Sequence, residues 1–267
     1  MSPNAADWRG VTLGERTIGY TEREAILYAL AVGASPDDLD LVFEERLRVL
    51  PTFALTLAQW APDALGSQGA FDTRTAVHGS QRLQVLAPMP RSGSVTMRAR
   101  VAEVWDKGAA AIFEVVVESD YSVATWSIFA PGCGGFGGER GPSAPPRTDA
   151  SPEHSFELAT SANQAALYRL LGDRHHMHID PAAALAAGQP RPFLHGLCTM
   201  AAVTLPLARR VGAHPAELAE LTGRFAAPVF PGDRLDVRGW TGDANDVRFE
   251  AAVGDRAVLS GGRVRFG

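Results

Sequence analysis

The sequence predicts an α+β fold built twice over, with a strongly curved antiparallel sheet wrapped around one apolar helix in each half. Three observations carry the prediction. Residues 94–104 and 109–118 alternate apolar and polar side chains and are split by Asp106-Lys107-Gly108; period-two alternation about a tight glycine turn marks an antiparallel hairpin. A glycine- and proline-rich stretch, Gly132-Cys133-Gly134-Gly135-Phe136-Gly137-Gly138 followed by Pro142, Pro145 and Pro146, divides the chain near its middle. The segments on either side of it share one order of elements.

In the first half, Thr21-Glu22-Arg23-Glu24 has the capping-box pattern and opens a helix that runs through residues 25–30 and stops at Gly33. A polar segment follows, then a second apolar helix at Leu50-Pro51-Thr52-Phe53-Ala54-Leu55-Thr56-Leu57. Strand signals come next at residues 81–87, in the hairpin, and at residues 121–129. In the second half, Ser161 can cap a helix over residues 165–171 that ends at Gly172. A polar cluster follows, and Phe193-Leu194-His195-Gly196 then leads into an apolar helix over residues 197–207. Strands are expected at 223–229, 235–241, 247–253 and 258–266, with a turn at Pro231-Gly232-Asp233. The anchors line up: Leu27-Tyr28 with Leu167-Tyr168, Gly33 with Gly172, and the turn at 88–93 with Pro231-Gly232. The expected organisation is a first half at 1–130, a linker at 131–152 and a second half at 153–267. Two such sheets can join edge to edge, which hides edges that would otherwise lie open.

The bulk numbers exclude several classes. The chain has 267 residues, of which 46% are hydrophobic, enough for one large core or two smaller ones. The net charge is −5 and no basic run interleaves with aromatics, so nucleic acid is not an expected partner. No apolar stretch approaches the ~20 residues of a membrane span. The first residues lack the charged and apolar regions of a signal peptide. There are only two cysteines, Cys133 and Cys198, which points away from a disulfide framework and toward a reducing cytoplasm.

Chemistry concentrates at Gly172-Asp173-Arg174-His175-His176-Met177-His178-Ile179-Asp180-Pro181. Neighbouring histidines point apart on an extended segment, and the spacing matches no standard zinc pattern, so no metal is expected. The glycine-rich run lacks the helix and the Lys or Thr that would complete a phosphate loop. Asp173 just past a helix end would feel the negative pole of the dipole, which favours a raised pKa.

The stretch Tyr168-Arg169-Leu170-Leu171-Gly172-Asp173-Arg174-His175-His176-Met177-His178-Ile179-Asp180-Pro181 resembles the signature of MaoC-like, (R)-specific enoyl-CoA hydratases, the hydratase 2 family. Phe193-Leu194-His195-Gly196-Leu197-Cys198 is similar to a second family element. Residues 26–34 and 49–53, and the glycine-rich run, are similar to the degenerate half of double-hotdog hydratases. The resemblance implies two hotdogs, each a curved sheet around a central helix. It implies reversible syn addition of water to a trans-2-enoyl thioester, with no cofactor besides the coenzyme A of the substrate. Asp173 and His178 would then bind and activate the water, and the Gly196 N–H would support the thioester oxygen. The first half would make room for a long or bulky acyl chain.

The residues fit that chemistry. A carboxylate and an imidazole sharing one water can deprotonate it and return a proton to C2. Gly196 begins an apolar helix whose first N–H groups lack internal partners and can receive an enolate oxygen. His195 could orient this turn, Tyr168 could contact substrate, and Arg140 could meet the 3′-phosphate of coenzyme A. His175 and His176 stand where the family signature has Asn-Pro. Imidazole can still donate or accept one hydrogen bond but is larger and can carry charge near neutral pH. Three outcomes follow for His175: hydration with a shifted pH profile, an altered substrate as in a biosynthetic dehydratase, or weakened catalysis. The alternatives to a hydratase are a 3-hydroxyacyl thioester dehydratase and a non-catalytic acyl-thioester-binding protein. Expected partners are coenzyme A or acyl-carrier-protein thioesters, in a monomer or homodimer.

Overall fold

A computed structural model describes residues 4–143, 150–243 and 245–267. Among them ten strands form a single antiparallel sheet: β1 (Thr12–Tyr20), β2 (Val77–Val85), β3 (Gly93–Asp106), β4 (Ala110–Glu118), β5 (Ser122–Pro131), β6 (His154–Ala159), β7 (Leu218–Phe225), β8 (Arg234–Thr241), β9 (Asp246–Val253) and β10 (Arg256–Phe266). Their order is β1-β3-β4-β5-β2-β7-β10-β9-β8-β6. Read outward from the β2–β7 junction, the two halves have the same order, so the duplication expected from the sequence is present in the topology. The α+β double hotdog is thus one continuous sheet.

The junction shows why edge-to-edge joining is favourable. Leu83 pairs with Leu221, and both are fully buried on the inner face. On the outer face Arg82 and Glu220 form an ion pair at 3.0 Å. Each half thereby loses an open row of backbone donors and acceptors. Elsewhere the alternation behaves as period two requires: Val95, Met97, Ala99 and Val101 of β3 are buried between exposed neighbours. A bulge between Val101 and Glu103 resets the pleat, so that Val104 and Asp106 also turn inward.

The helices are α1 (Glu22–Ala31), α2 (Leu39–Val42), α3 (Phe53–Ala58), α4 (Trp60–Ser67), α5 (Gln164–Tyr168), α6 (Pro181–Ala186) and α7 (Gly196–Arg210). At the start of α1 the Thr21 N–H donates to the Glu24 carboxylate at 2.9 Å and the Thr21 hydroxyl, which alanine would lack, donates to the same carboxylate, within the expected capping box. Thr21→Ala is expected to cost about 1 kcal/mol, lowering the thermal midpoint by about 2–4 °C in a calorimetric scan. The two halves meet through their helices. The Tyr28 and Tyr168 rings lie 6.0 Å apart, and Cys198 Sγ on α7 approaches the Ala31 carbonyl at 3.5 Å.

Several elements differ from the sequence reading. The helix expected over residues 165–171 is α5 followed by a 3-10 turn at Arg169–Leu171. β7 begins at Leu218 and ends at Phe225, earlier than the glycine-based assignment. β1 and β6 carry no clear apolar alternation because they are the sheet's two edges, with few buried positions. α4 extends past Pro62, which is tolerated because first-turn N–H groups have no intrahelical partner in any case.

The expected linker includes residues 144–149, which lie outside the described residues. Its described start is a built loop. The Asp106 carboxylate accepts from the N–H groups of Gly108 at 2.8 Å, Gly135 at 2.9 Å and Gly137 at 2.8 Å. These donors hold Asp106 down to about 2. The glycine-rich backbone is an anion-binding concavity, and the anion in it is the protein's own carboxylate.

Candidate active site

The chain leaves the 3-10 turn through Gly172, where a Cβ would sit 2.7 Å from the Thr56 carbonyl oxygen. This close approach, with no left-handed backbone, demands glycine. It also carries Asp173 against the first half. A second 3-10 turn at His176–His178 follows. Asp180 then caps α6, accepting from the Ala182 N–H at 2.9 Å, with Pro181 at the first helical position. Pinned at both ends, the loop turns His178 inward to 8% exposure and leaves His175 and His176 outside.

Asp173 Oδ1 accepts two bonds from His175, from its backbone N–H at 3.1 Å and from its ring Nδ1 at 2.6 Å. His178 Nδ1 lies 2.8 Å from the Phe193 carbonyl. A carbonyl only accepts, so Nδ1 carries the proton and Nε2 is left as a base. By the same reasoning His195 Nε2 donates to the Asp173 backbone carbonyl at 3.1 Å. The His178 and His195 rings lie 3.8 Å apart, and Tyr168, 1% exposed, packs behind His195 at 4.8 Å. The Tyr168 hydroxyl and His195 Nδ1 are buried without a protein partner among the described residues.

Burial alone pushes the Asp173 carboxyl up. The His175 hydrogen bond and the facing rings of His195, His175 and His178 outweigh it and hold Asp173 well below the usual carboxylate range. The raised value expected from a helix dipole is therefore corrected: α5 is only five residues long, and three imidazoles surround the carboxylate. His175 is pushed up to about 9, chiefly by its bond to Asp173. Burial pushes His178 down against the pull of Asp173, and takes His195 down to about 3. At neutral pH the site thus holds a carboxylate, an outer imidazolium and two neutral inner histidines.

These shifts have a consequence for stability. His195 at about 3 and His78 at about 4 bind protons less readily folded than unfolded. The unfolded chain therefore takes up more protons once the pH drops below about 6.5. Their contribution is complete above pH 6.5 and is lost on acidification, at up to about 1.4 kcal/mol per pH unit for each group. His175 works in the opposite sense, losing its contribution as pH rises toward 9, but it is 48% exposed and weakly coupled to stability. The thermal midpoint is expected to fall steadily from pH 6.5 to pH 4; a flat calorimetric profile would contradict this.

Opposite the pair stands the N-terminus of α7. His195 is its cap residue, and Gly196 follows. A Cβ at Gly196 would meet the Phe225 ring at 2.8 Å, so glycine here reflects close packing. The Phe225 ring is also in edge-on contact with His78 of β2, with ring centroids 4.7 Å apart. A cleft of about 520 Å³ runs from Gly172 along the first half, between Arg16, Thr56, Gln59, Trp60 and Asp63.

The structure therefore gathers Asp173, His175, His178, His195, Gly196 and Tyr168. It does not bring Arg140 into this group: Arg140 lies exposed beside the β3–β4 turn, where its carbonyl accepts from Lys107. Two nearby residues escaped sequence reasoning, His78 and Asp63, because both come from the half that lacks the motif. Asp173, His178 and His195 bring donor atoms within 4.8 Å of one another, a spacing that three ligands of an ion could have. Each inner histidine gives one nitrogen to a carbonyl and keeps the other, an arrangement that serves an ion or a water equally well, while Asp173 is also paired with the His175 ring.

Residues 19–130 match the MFE-2 hydratase 2 N-terminal domain, and residues 143–261 match the MaoC-like domain. The chain is 35% identical to the 3-hydroxyacyl-thioester dehydratase Y of Mycobacterium tuberculosis, over 92% of this chain and 93% of that protein. It is 36% identical to the enoyl-CoA hydratase ChsH3 of the same organism, over 86% and 87% of the two chains. Among solved structures, a MaoC-like dehydratase from Phytophthora capsici superposes with a TM-score of 0.87 at 26% identity, covering 99% of this chain and 98% of that one. With both halves matched in order and the motif loop folded onto the start of α7, this chain belongs to the MaoC-like hydratase 2 family.

Proposed function

We propose that the protein catalyses the (R)-specific, reversible hydration of trans-2-enoyl-CoA to (R)-3-hydroxyacyl-CoA. The observation that carries this reading is His178, held neutral with Nδ1–H given to the Phe193 carbonyl and no hydrogen bond to Nε2 among the described residues, grouped with the Asp173 carboxylate and packed against His195, the cap of α7. Asp173 and His178 hold one water. His178 Nε2 takes its proton as the oxygen attacks C3, and the alkene electrons move onto the thioester oxygen as an enolate. The Gly196 N–H, at the positive end of α7, receives that charge. The proton is returned from the same side to C2, so atoms and charge balance and the addition is syn.

The cleft along α3 and α4 receives the acyl chain. Tyr168 and His195 hold the carbonyl end of the site in place from behind, and a contact of Arg140 with the coenzyme A phosphate remains part of the proposal. No cofactor enters. The same groups run backwards dehydrate a 3-hydroxyacyl thioester, a direction favoured by the likeness to a 3-hydroxyacyl-thioester dehydratase. Two free cysteines, with the Cys198 thiol pushed up to about 12 by burial, fit a reducing, cytoplasmic setting. The sheet joint within one chain fits a monomer or homodimer, which light scattering would distinguish.

The test is the absorbance of the conjugated enoyl thioester. Crotonyl-CoA and longer trans-2-enoyl-CoAs should lose it on addition of enzyme, and chiral chromatography should find the (R)-3-hydroxyacyl product. If every enoyl-CoA and the matching acyl-carrier-protein thioesters persist unchanged, the reading fails.

A further inference from the structure

His175 does more than replace an amide with an imidazole. Its ring stands between two carboxylates from different halves. Nδ1 is 2.6 Å from Asp173 Oδ1, and Nε2 is 3.7 Å from Asp63 Oδ1 on α4. Asp63 is itself steadied by the Gln59 amide at 3.2 Å and lies in the wall of the cleft that begins at Gly172. We propose that Asp63, His175 and Asp173 form a bridge across the two halves, in which Asp63 is a positioning residue that acts through His175 on the Asp173 carboxylate. This rests on the hydratase reading given above.

The geometry gives each member a task. With both His175 donors on Asp173 Oδ1, none of the hydrogen bonds among the described residues uses Oδ2, which is left to hold the water. A charged ring is favoured by an anion on each side, and Asp63 Oδ1 is the carboxylate oxygen 3.7 Å from Nε2. Burial raises Asp63 while the charge of His175 lowers it, and Asp63 in turn favours the charged form of His175. The charged and titratable groups around the bridge are Arg16 on β1, His78 on β2, His178 on the motif loop and His195 at α7. Of these, Arg16 alone carries a fixed positive charge near Asp63. When His175 loses its proton, two carboxylates and the developing enolate face one another without the cation between them. Turnover should then fall, which places an alkaline limb at the His175 ionisation.

The test is a double-mutant cycle read against pH. Asp63→Asn should move the alkaline limb of kcat to lower pH by about half a unit, the size expected of a half-exposed ion pair, with the thermal midpoint unchanged. In a His175→Asn background the limb should be gone and Asp63→Asn should shift nothing. The His175 ring proton titration, followed by NMR, should shift by the same amount in Asp63→Asn. That reading does not depend on turnover, so it stands even if the hydratase assignment fails. An unchanged His175 titration in Asp63→Asn would overturn the bridge. So would an equal effect of Asp63→Asn on the pH profile with and without His175.

Discussion

His178→Ala and Asp173→Asn are each expected to lower kcat for enoyl-CoA hydration by about 10³-fold, within the range of about 10²–10⁴ for a positioned acid–base group. The argument is geometric. His178 is 8% exposed, its ring is fixed by the 2.8 Å bond to Phe193, and this leaves Nε2 to act as the base; in the other neutral ring, His195, the unprotonated Nδ1 is fully buried. Asparagine at 173 keeps the size of the side chain and can still accept from His175, but it removes the negative charge that His175 and the water both answer. The two losses should be far from additive, because both groups act on one water. The double variant should be little slower than either single one. Progress curves with crotonyl-CoA, alongside circular dichroism to verify folding, provide the measurement. A variant retaining half of the wild-type rate would remove that residue from the reaction.

Gly196→Ala is expected to lower kcat by about 10²-fold, with a smaller effect on KM. The new Cβ would lie 2.8 Å from the Phe225 ring, and that ring cannot swing away freely because His78 lies against it at 4.7 Å. The start of α7 must move instead, taking with it the N–H groups that receive the enolate. Misplacing such donors costs a rate comparable to deleting one, about 10²–10³. Phe225→Ala removes the obstacle, so the Gly196→Ala/Phe225→Ala double variant should recover much of the lost rate. If Gly196→Ala turns over at the wild-type rate, the start of α7 is not where the charge develops.

Much of the protein was legible in the order of its residues. Alternation over residues 94–104 and 109–118 placed the β3–β4 hairpin, because strands buried on one face show period two. Thr21 and Glu24 placed the start of α1, because a capping box is local. β1 and β6 were not legible, since edge strands bury little and write no alternation. α4 was not read from the sequence; Pro62 falls in its first turn, where no N–H is needed. In the site, Asp173, His178 and Gly196 could be named from their motifs. Asp63 and His78 could not, since they lie far away in the chain and reach the site only through the pairing of the halves.

The sequence alone determined the chemical inventory: a carboxylate, histidines and a glycine at the head of an apolar helix, in a chain that repeats its own plan. Only the tertiary structure decided their charge states. A dipole argument from the chain raised Asp173, whereas the fold lowers it, because folding surrounds that carboxylate with three imidazoles and hands one of its oxygens to His175. The same packing keeps His178 and His195 neutral and charges His175. Ionisation depends on burial and on neighbours within a few ångströms, and those neighbours come from loops, helices and strands on both sides of the β2–β7 joint.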